Sequence, residues 1–172
     1  MRVPLRDVAA LLSLALAAWP AIATAQAVPQ PEDPDWTTYV IPEYGTRVQY
    51  PAGLFLSKGP SPKGVGEQFE SADGSVSLVI YSQDNSEADT PVSYLGRNLR
   101  VDPATIDYRR VTSSFFAISS EREGAVYYSR CNFSGGRAGA IHCFDLIYPQ
   151  SLKRAWDPVA ARISLSLRPL ER

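Results

Sequence analysis

Only two cysteines occur in this 172-residue chain, Cys131 and Cys143, and each stands six residues from Arg137. Arg137 lies in the middle of the polar stretch SGGRAG, between two runs rich in aromatic and β-branched residues, 125–133 and 140–148. Runs of that kind around a glycine-containing turn read as the arms of a hairpin. Folding at Arg137 sets Cys131 opposite Cys143, Phe133 opposite Ile141, Ser129 opposite Asp145 and Tyr127 opposite Ile147. Directly opposed residues have Cα atoms about 4.5–5.5 Å apart. That falls within the roughly 4.4–6.8 Å a disulfide needs, most comfortably at a non-hydrogen-bonded pair. A redox-active pair is usually C-x-x-C at a helix start. Eleven intervening residues in mid-strand favour a structural clamp.

The N-terminus points to a compartment where such a clamp forms. Arg2 and Arg6 precede a mostly apolar run, 8–19, and small residues at Ala23 and Ala25 complete an export signal. The expected signal peptide is 1–25, with cleavage after Ala27 the alternative. Its apolar run, about 12 residues, is too short to span a bilayer as a mature helix. No stable membrane insertion is therefore expected after cleavage. Cysteines in an oxidising compartment more often pair than stay free. Removing Arg2, Arg6 and Asp7 takes Lys+Arg from 17 to 15 and Asp+Glu from 18 to 17, moving the net charge from -1 to -2. A chain so close to neutral offers no electrostatic footprint for nucleic acid. The periplasm or the exterior is the expected location.

Residues 26–35 (QAVPQPEDPD) are dominated by proline and acid and read as an extended leader. One domain is then expected over 36–170. WTTYVI at 36–41 and the alternating 46–50 read as strands. A loop is expected over 58–66 (KGPSPKGVG). Asp73-Gly74 between two apolar runs marks a further hairpin, with arms 67–71 and 75–83. Thr90-Pro91 is an N-cap followed by proline at the first helical position. It opens a helix expected over 91–100, with Val92, Leu95 and Leu99 along one face. Strands follow at 106–111 and 115–120, with a turn at 121–124, and then the cysteine hairpin. Proline at 158 argues for a turn over 151–156 and a second helix only from 158 to 167. The order is α+β: an antiparallel sheet of about six to seven strands flanked by two or three helices. Apolar residues on both faces of most strands indicate a sheet covered on both sides.

No nucleophile–base set stands out. His142 is the only histidine, and no G-x-S-x-G accompanies it. Its alternation with Cys143 places it on the other face of its strand, with Asn132 and Arg130 as neighbours. It reads as a strand residue, with a hydrolase site around it as the alternative. One histidine and two paired cysteines exclude the usual zinc sets, and no cofactor is implied. The glycine-rich 58–66 stretch lacks the G-K-[ST] ending of a phosphate loop. Its Lys58, Lys63, Gly64 and Gly66 are instead candidates for a binding loop on a rigid scaffold. Asp84, Asn85, Glu87 and Asp89 are oxygen donors at a spacing that fits no EF-hand. Arg97, Arg100, Arg109 and Arg110 form a conceivable anion cluster, and Asn132-Phe133-Ser134 matches a glycosylation acceptor.

Several stretches taken together carry a resemblance. Tyr50-Pro51 with Leu54-Phe55, the turn from Gly66–Phe69 into Ser71–Gly74, Val126–Tyr128, and Tyr148-Pro149 leading to Asp157-Pro158 and Ile163 resemble small exported bacterial proteins of the PsbP/DcrB-like fold group. The resemblance covers about 36–170. It implies an antiparallel sheet flanked by helices and an accessory, binding or assembly role without a shared active site. The expectation is a non-enzymatic exported binding or accessory module whose partner is another envelope protein. An inhibitor of a periplasmic enzyme is a further alternative.

Overall fold

The computed structural model describes residues 35–98, 103–135 and 139–169. The expected signal peptide lies outside the described residues. So do the leader apart from Asp35, Arg100, and the hairpin apex at Arg137.

The described residues form ten strands and two α-helices, in chain order. β1 (Trp36–Ile41) and β2 (Thr46–Pro51) come first, then β3 (Leu56–Pro60), β4 (Val65–Glu70) and β5 (Ser77–Asp84). Helix α1 (Pro91–Asn98) precedes β6 (Ile106–Val111), β7 (Phe115–Arg122), β8 (Ala125–Ser134) and β9 (Ala140–Pro149). Helix α2 (Lys153–Ser166) and the short β10 (Arg168–Pro169) close the chain. Seven strands form one antiparallel sheet in the order β3-β4-β5-β9-β8-β7-β6. The first hairpin stands apart from it, as a three-stranded sheet β1-β2-β10. This is the α+β architecture read from the sequence, with the first two strands in a layer of their own.

β9 sits at the centre of the large sheet and is buried at most of its positions. Phe144, Leu146 and Tyr148 face α2 and the small sheet, where Ile41, Val48, Phe69, Leu78, Ile80 and Ile163 join them in the larger core. Ile141 and Cys143 face α1, in a second core with Tyr81, Tyr94, Phe116 and Ile118. Burial on both faces is why the central strands carry apolar residues at successive positions.

The β8–β9 register pairs Cys131 with Cys143, Phe133 with Ile141, Ser129 with Asp145 and Tyr127 with Ile147, the pairs the sequence dictates. Cys131 and Cys143 are joined, with Cα atoms 4.2 Å apart and neither residue exposed. Such a short separation suits a non-hydrogen-bonded pair. The Glu123-Gly124 turn has both residues at positive φ, 53° and 77°, the two-residue loop that matches strand twist.

Three expectations change. The stretch 58–66 is not one loop: it is an edge hairpin, with Lys58 in β3 and Gly66 in β4. A bulge between Ser57 and Gly59, and the unpaired outer side of β3, accommodate its glycine and proline. Helix α1 turns its Pro91, Tyr94 and Leu95 side inward, and Val92 is 59% exposed. Tyr94 stacks on Phe116 and meets Phe133 edge-on, while its hydroxyl accepts a hydrogen bond from Gln83. A tyrosine thus does the packing that a strictly aliphatic reading assigned to Val92. Thr90 caps α1, its Oγ1 accepting from the Ser93 N–H. Helix α2 begins at Lys153 and carries Pro158 inside it. Proline forfeits one backbone bond near the helix start. Trp156, stacked on Tyr148 and edge-on to Phe55, anchors that first turn to the core and offsets the loss.

The two sheets are also joined by a largely buried polar chain. Thr46 Oγ1 of β2 lies 2.6 Å from Ser82 Oγ of β5 and 2.6 Å from His142 Nδ1 of β9. Ser134 Oγ lies 2.7 Å from His142 Nε2. Thr46, Ser82 and His142 are each fully buried. Burial holds the His142 imidazole below its ordinary value of 6.5.

Two predictions follow from these contacts. Mass spectrometry without reduction should find the chain two protons lighter than its thiol form. The Cys131→Ala/Cys143→Ala double variant should lose up to about 3 kcal/mol in urea unfolding, the chain-entropy limit for a loop of this size. Second, His142 takes up a proton less readily when folded than when unfolded. Its contribution to stability is therefore complete above the unfolded value and is lost as pH falls from there through the lowered folded value. Urea midpoints measured from pH 7.5 to 4.5 should fall faster in the wild-type chain than in His142→Gln.

Candidate functional site

On the α2 side, the large sheet extends beyond the helix that covers it. The uncovered ground lies between α2 and the outer strands β6, β7 and β8. Strand alternation brings Tyr108 and Arg110 of β6, Phe115 and Ala117 of β7, and Tyr128 and Arg130 of β8 to this face. Helix α2 presents Ala160, Ala161 and Ser164 toward the same space. Small residues on the helix and at Ala117 and Ser119 of the floor leave a groove of about 480 Å³, within the size range of small-molecule sites.

The two ends of the groove differ electrically. At one end, Tyr148 donates to Asp157 Oδ1 at 2.7 Å, and Lys153 bridges Glu121 at 2.9 Å and Asp157 at 3.6 Å. Burial, with the neighbouring Asp157 carboxylate, pushes the Tyr148 phenol far up. Two carboxylates there share one ammonium, so that end has no spare cation. At the other end, the Arg130 guanidinium lies 4.3 Å from the Phe115 ring centre and that of Arg110 lies 5.4 Å from it. Arg130 donates from Nε to Asn132 Oδ1 at 3.0 Å and from Nη1 to Ser164 Oγ at 3.2 Å. Both of those acceptors are neutral. None of the ion pairs among the described residues includes Arg110 or Arg130. Desolvation, with the neighbouring Arg110 charge, lowers the Arg130 value. This is the signature of a cation partly withdrawn from water without a compensating charge.

The residues singled out in the sequence are distributed otherwise. Lys58 pairs with Glu70 at 3.2 Å, and Lys63 pairs with Asp145 at 2.7 Å on the opposite face of the sheet. A Cβ at Gly64 would come within 2.6 Å of the Ser82 carbonyl oxygen, and one at Gly66 within 2.0 Å of that of Ile80. These glycines permit close strand approach. The four residues do not converge around one space. Arg97 is paired with Asp89 and Glu87, and Arg109 alternates to the other face of β6 from Arg110. In the acidic loop, the Asn85 side chain brackets Asp89 in both directions. Asn132 donates to the Leu167 carbonyl, so its amide is already engaged inside the fold.

Arg130 and Tyr128 were legible only as strand residues. The available signal was their alternation: Tyr128, Arg130 and Asn132 put three polar groups on the face where Val126, Phe144 and Leu146 are fully buried. Ser164 could not be found from spacing, because it lies on a helical stripe that otherwise reads as core.

The Ser134–His142 contact has the reach of a nucleophile and base. The partner on the far ring nitrogen is the Thr46 hydroxyl, which carries no charge to stabilise an imidazolium. Neither Ser134 nor His142 lines the groove.

Set beside known proteins, the chain matches no family model, and no curated protein sequence matches it. Solved structures do match. The solution structure of cyanobacterial PsbP (CyanoP) from Synechocystis sp. PCC 6803 superposes with a TM-score of 0.58 over 84% of this chain and 98% of that one, at 11% identity. A crystal structure from Bacteroides thetaiotaomicron VPI-5482 gives a TM-score of 0.47 over 78% of this chain and 48% of that one, at 14% identity. The chain therefore has a PsbP-like fold. At these identities the likeness concerns the fold and leaves the site to be argued from its own residues.

Ser164 joins helix to sheet at the groove wall, accepting from the Tyr128 hydroxyl at 2.8 Å as well as from Arg130. Ser164→Ala should cost about 1–2 kcal/mol in urea unfolding, because both donors lose a partly buried acceptor. Tyr128→Phe in the same background should then add less than it does in the wild-type chain.

Proposed function

We propose that this protein is a non-enzymatic binding module of the cell envelope or exterior, with the groove between α2 and strands β6–β8 as its recognition surface. The observation that carries this reading is the partly buried Arg130 beside Arg110, neither of them in an ion pair among the described residues, at one end of the groove. A cation held in that way gains when an anion arrives. The disulfide supports an oxidising compartment. Among the described residues no helix is long and apolar enough to cross a membrane. The PsbP-like fold is compatible with an accessory role, in which the groove serves another envelope component.

The Ser134–His142 pair favours a second reading, a hydrolase. Against it stand the neutral Thr46 in the third position and the burial of the imidazole. A fluorophosphonate probe separates the two readings. No labelling is expected in the wild-type chain or in Ser134→Ala, and neither should hydrolyse a panel of esters and amides. Labelling of the wild-type chain that disappears in Ser134→Ala would replace the binding reading with the hydrolase.

A further inference from the structure

The groove's charge and shape together specify a ligand class. We infer that it takes a small organic acid, with one carboxylate on a flat or chain-like apolar body. The carboxylate is received at the Arg130–Arg110 end, and the body lies along Ala160, Ala161 and Tyr128. This inference deepens the binding reading above and rests on it.

Arg130 and Arg110 share one aromatic platform, Phe115, at 4.3 and 5.4 Å. Two like charges held against one ring repel each other, and an anion between them relieves that repulsion. Each guanidinium has five N–H donors. Arg130, which lines the groove, spends its two described side-chain bonds on neutral oxygens, from Nε and Nη1, and keeps further N–H donors for a carboxylate. Arginine is the side chain whose planar fork suits that recognition.

The opposite end has no cation to spare, because Lys153 is shared between Glu121 and Asp157 and Tyr148 also donates to Asp157. A second anionic group on the ligand would find no cation free there, so a monoacid fits and a diacid does not. Asp107, which also lines the groove, weighs in the same direction by limiting the anionic charge the site accepts. Between the ends, the walls are Tyr128, Ala117 and the alanine pair of α2. These surfaces offer the ligand's body apolar contact. The volume, about 480 Å³, matches a small molecule rather than a folded partner's surface.

The test is calorimetric titration of the full mature chain with naphthaleneacetate, its uncharged amide, octanoate and inorganic phosphate. One-to-one binding of naphthaleneacetate or octanoate is expected, at least about tenfold tighter than the amide, the scale of one charge-assisted hydrogen bond. Arg130→Met should weaken the acid by at least about tenfold and leave the amide unchanged. Arg110→Met tests the same point at an exposed residue with little risk to folding, and Arg109→Met, on the other face, should change nothing. Ala161→Trp, at an exposed helical position, should abolish binding by filling the groove while the unfolding temperature is kept. Equal binding of acid and amide, both lost in Ala161→Trp, would overturn the anion and leave the groove as a binding site. Phosphate binding as tightly as the acids would overturn the apolar body. Acid binding that survives Ala161→Trp would overturn the location. Absence of binding by all four probes would count against the binding reading as well.

Discussion

The ladder joining β5, β9 and β8 is the constraint on which the rest of the structure depends. Because β9 is covered on both faces, a one-residue slip would exchange the two sets of side chains between two differently shaped cores. Phe144 and Leu146 would meet the α1 side, and Cys143 would leave its partner. Register is therefore fixed twice, by packing and by a covalent bond. Both helices and the small sheet depend on that ladder. Helix α1 needs Ile141 and Cys143 beneath it, while α2 and β2 need Phe144, Leu146 and Tyr148.

This central ladder was the most legible part of the sequence, because period-two alternation and turn chemistry are local signals. Elsewhere tertiary contacts outweigh local rules. Pro158 marks a helix start in isolation, yet Trp156 packed against Tyr148 and Phe55 draws the helix back to Lys153. Gly59 and Pro60 read as loop, yet an edge strand pairs on one side only and tolerates both. Val92 reads as a core position, but Tyr94 has the larger ring to bury. The groove was harder still to foresee. It is made by the shortfall between the width of a seven-stranded sheet and that of the helix and small sheet that cover its face, and no local spacing encodes a shortfall. Arg110 was visible as part of a cluster, but its partner in space, Arg130, lies two strands away in the sheet.

Small side chains give the groove its depth, and they do so without weakening the core. Ala160 is buried against the larger core while Ala161, one residue on, faces out. The helix therefore presents a narrow shoulder over β7. Larger residues at Ala117 and Ser119 would close the floor while leaving the buried Phe116 and Ile118, which alternate to the other side of the same strand, in place. On β7, groove and core thus draw on alternating positions.

The hydroxyl chain through His142 has a further property. Each of its links is an oxygen that can donate or accept, and only the imidazole restricts direction. Moving the ring proton from one nitrogen to the other reverses the direction of every bond from Ser82 to Ser134 without displacing a heavy atom. A doubly protonated ring would have both hydroxyls as acceptors, but burial disfavours its charge. The inner seam between the two sheets is thus geometrically fixed but permits more than one proton arrangement. Its state is written in nitrogen chemical shifts and is silent in the positions of the strands it joins.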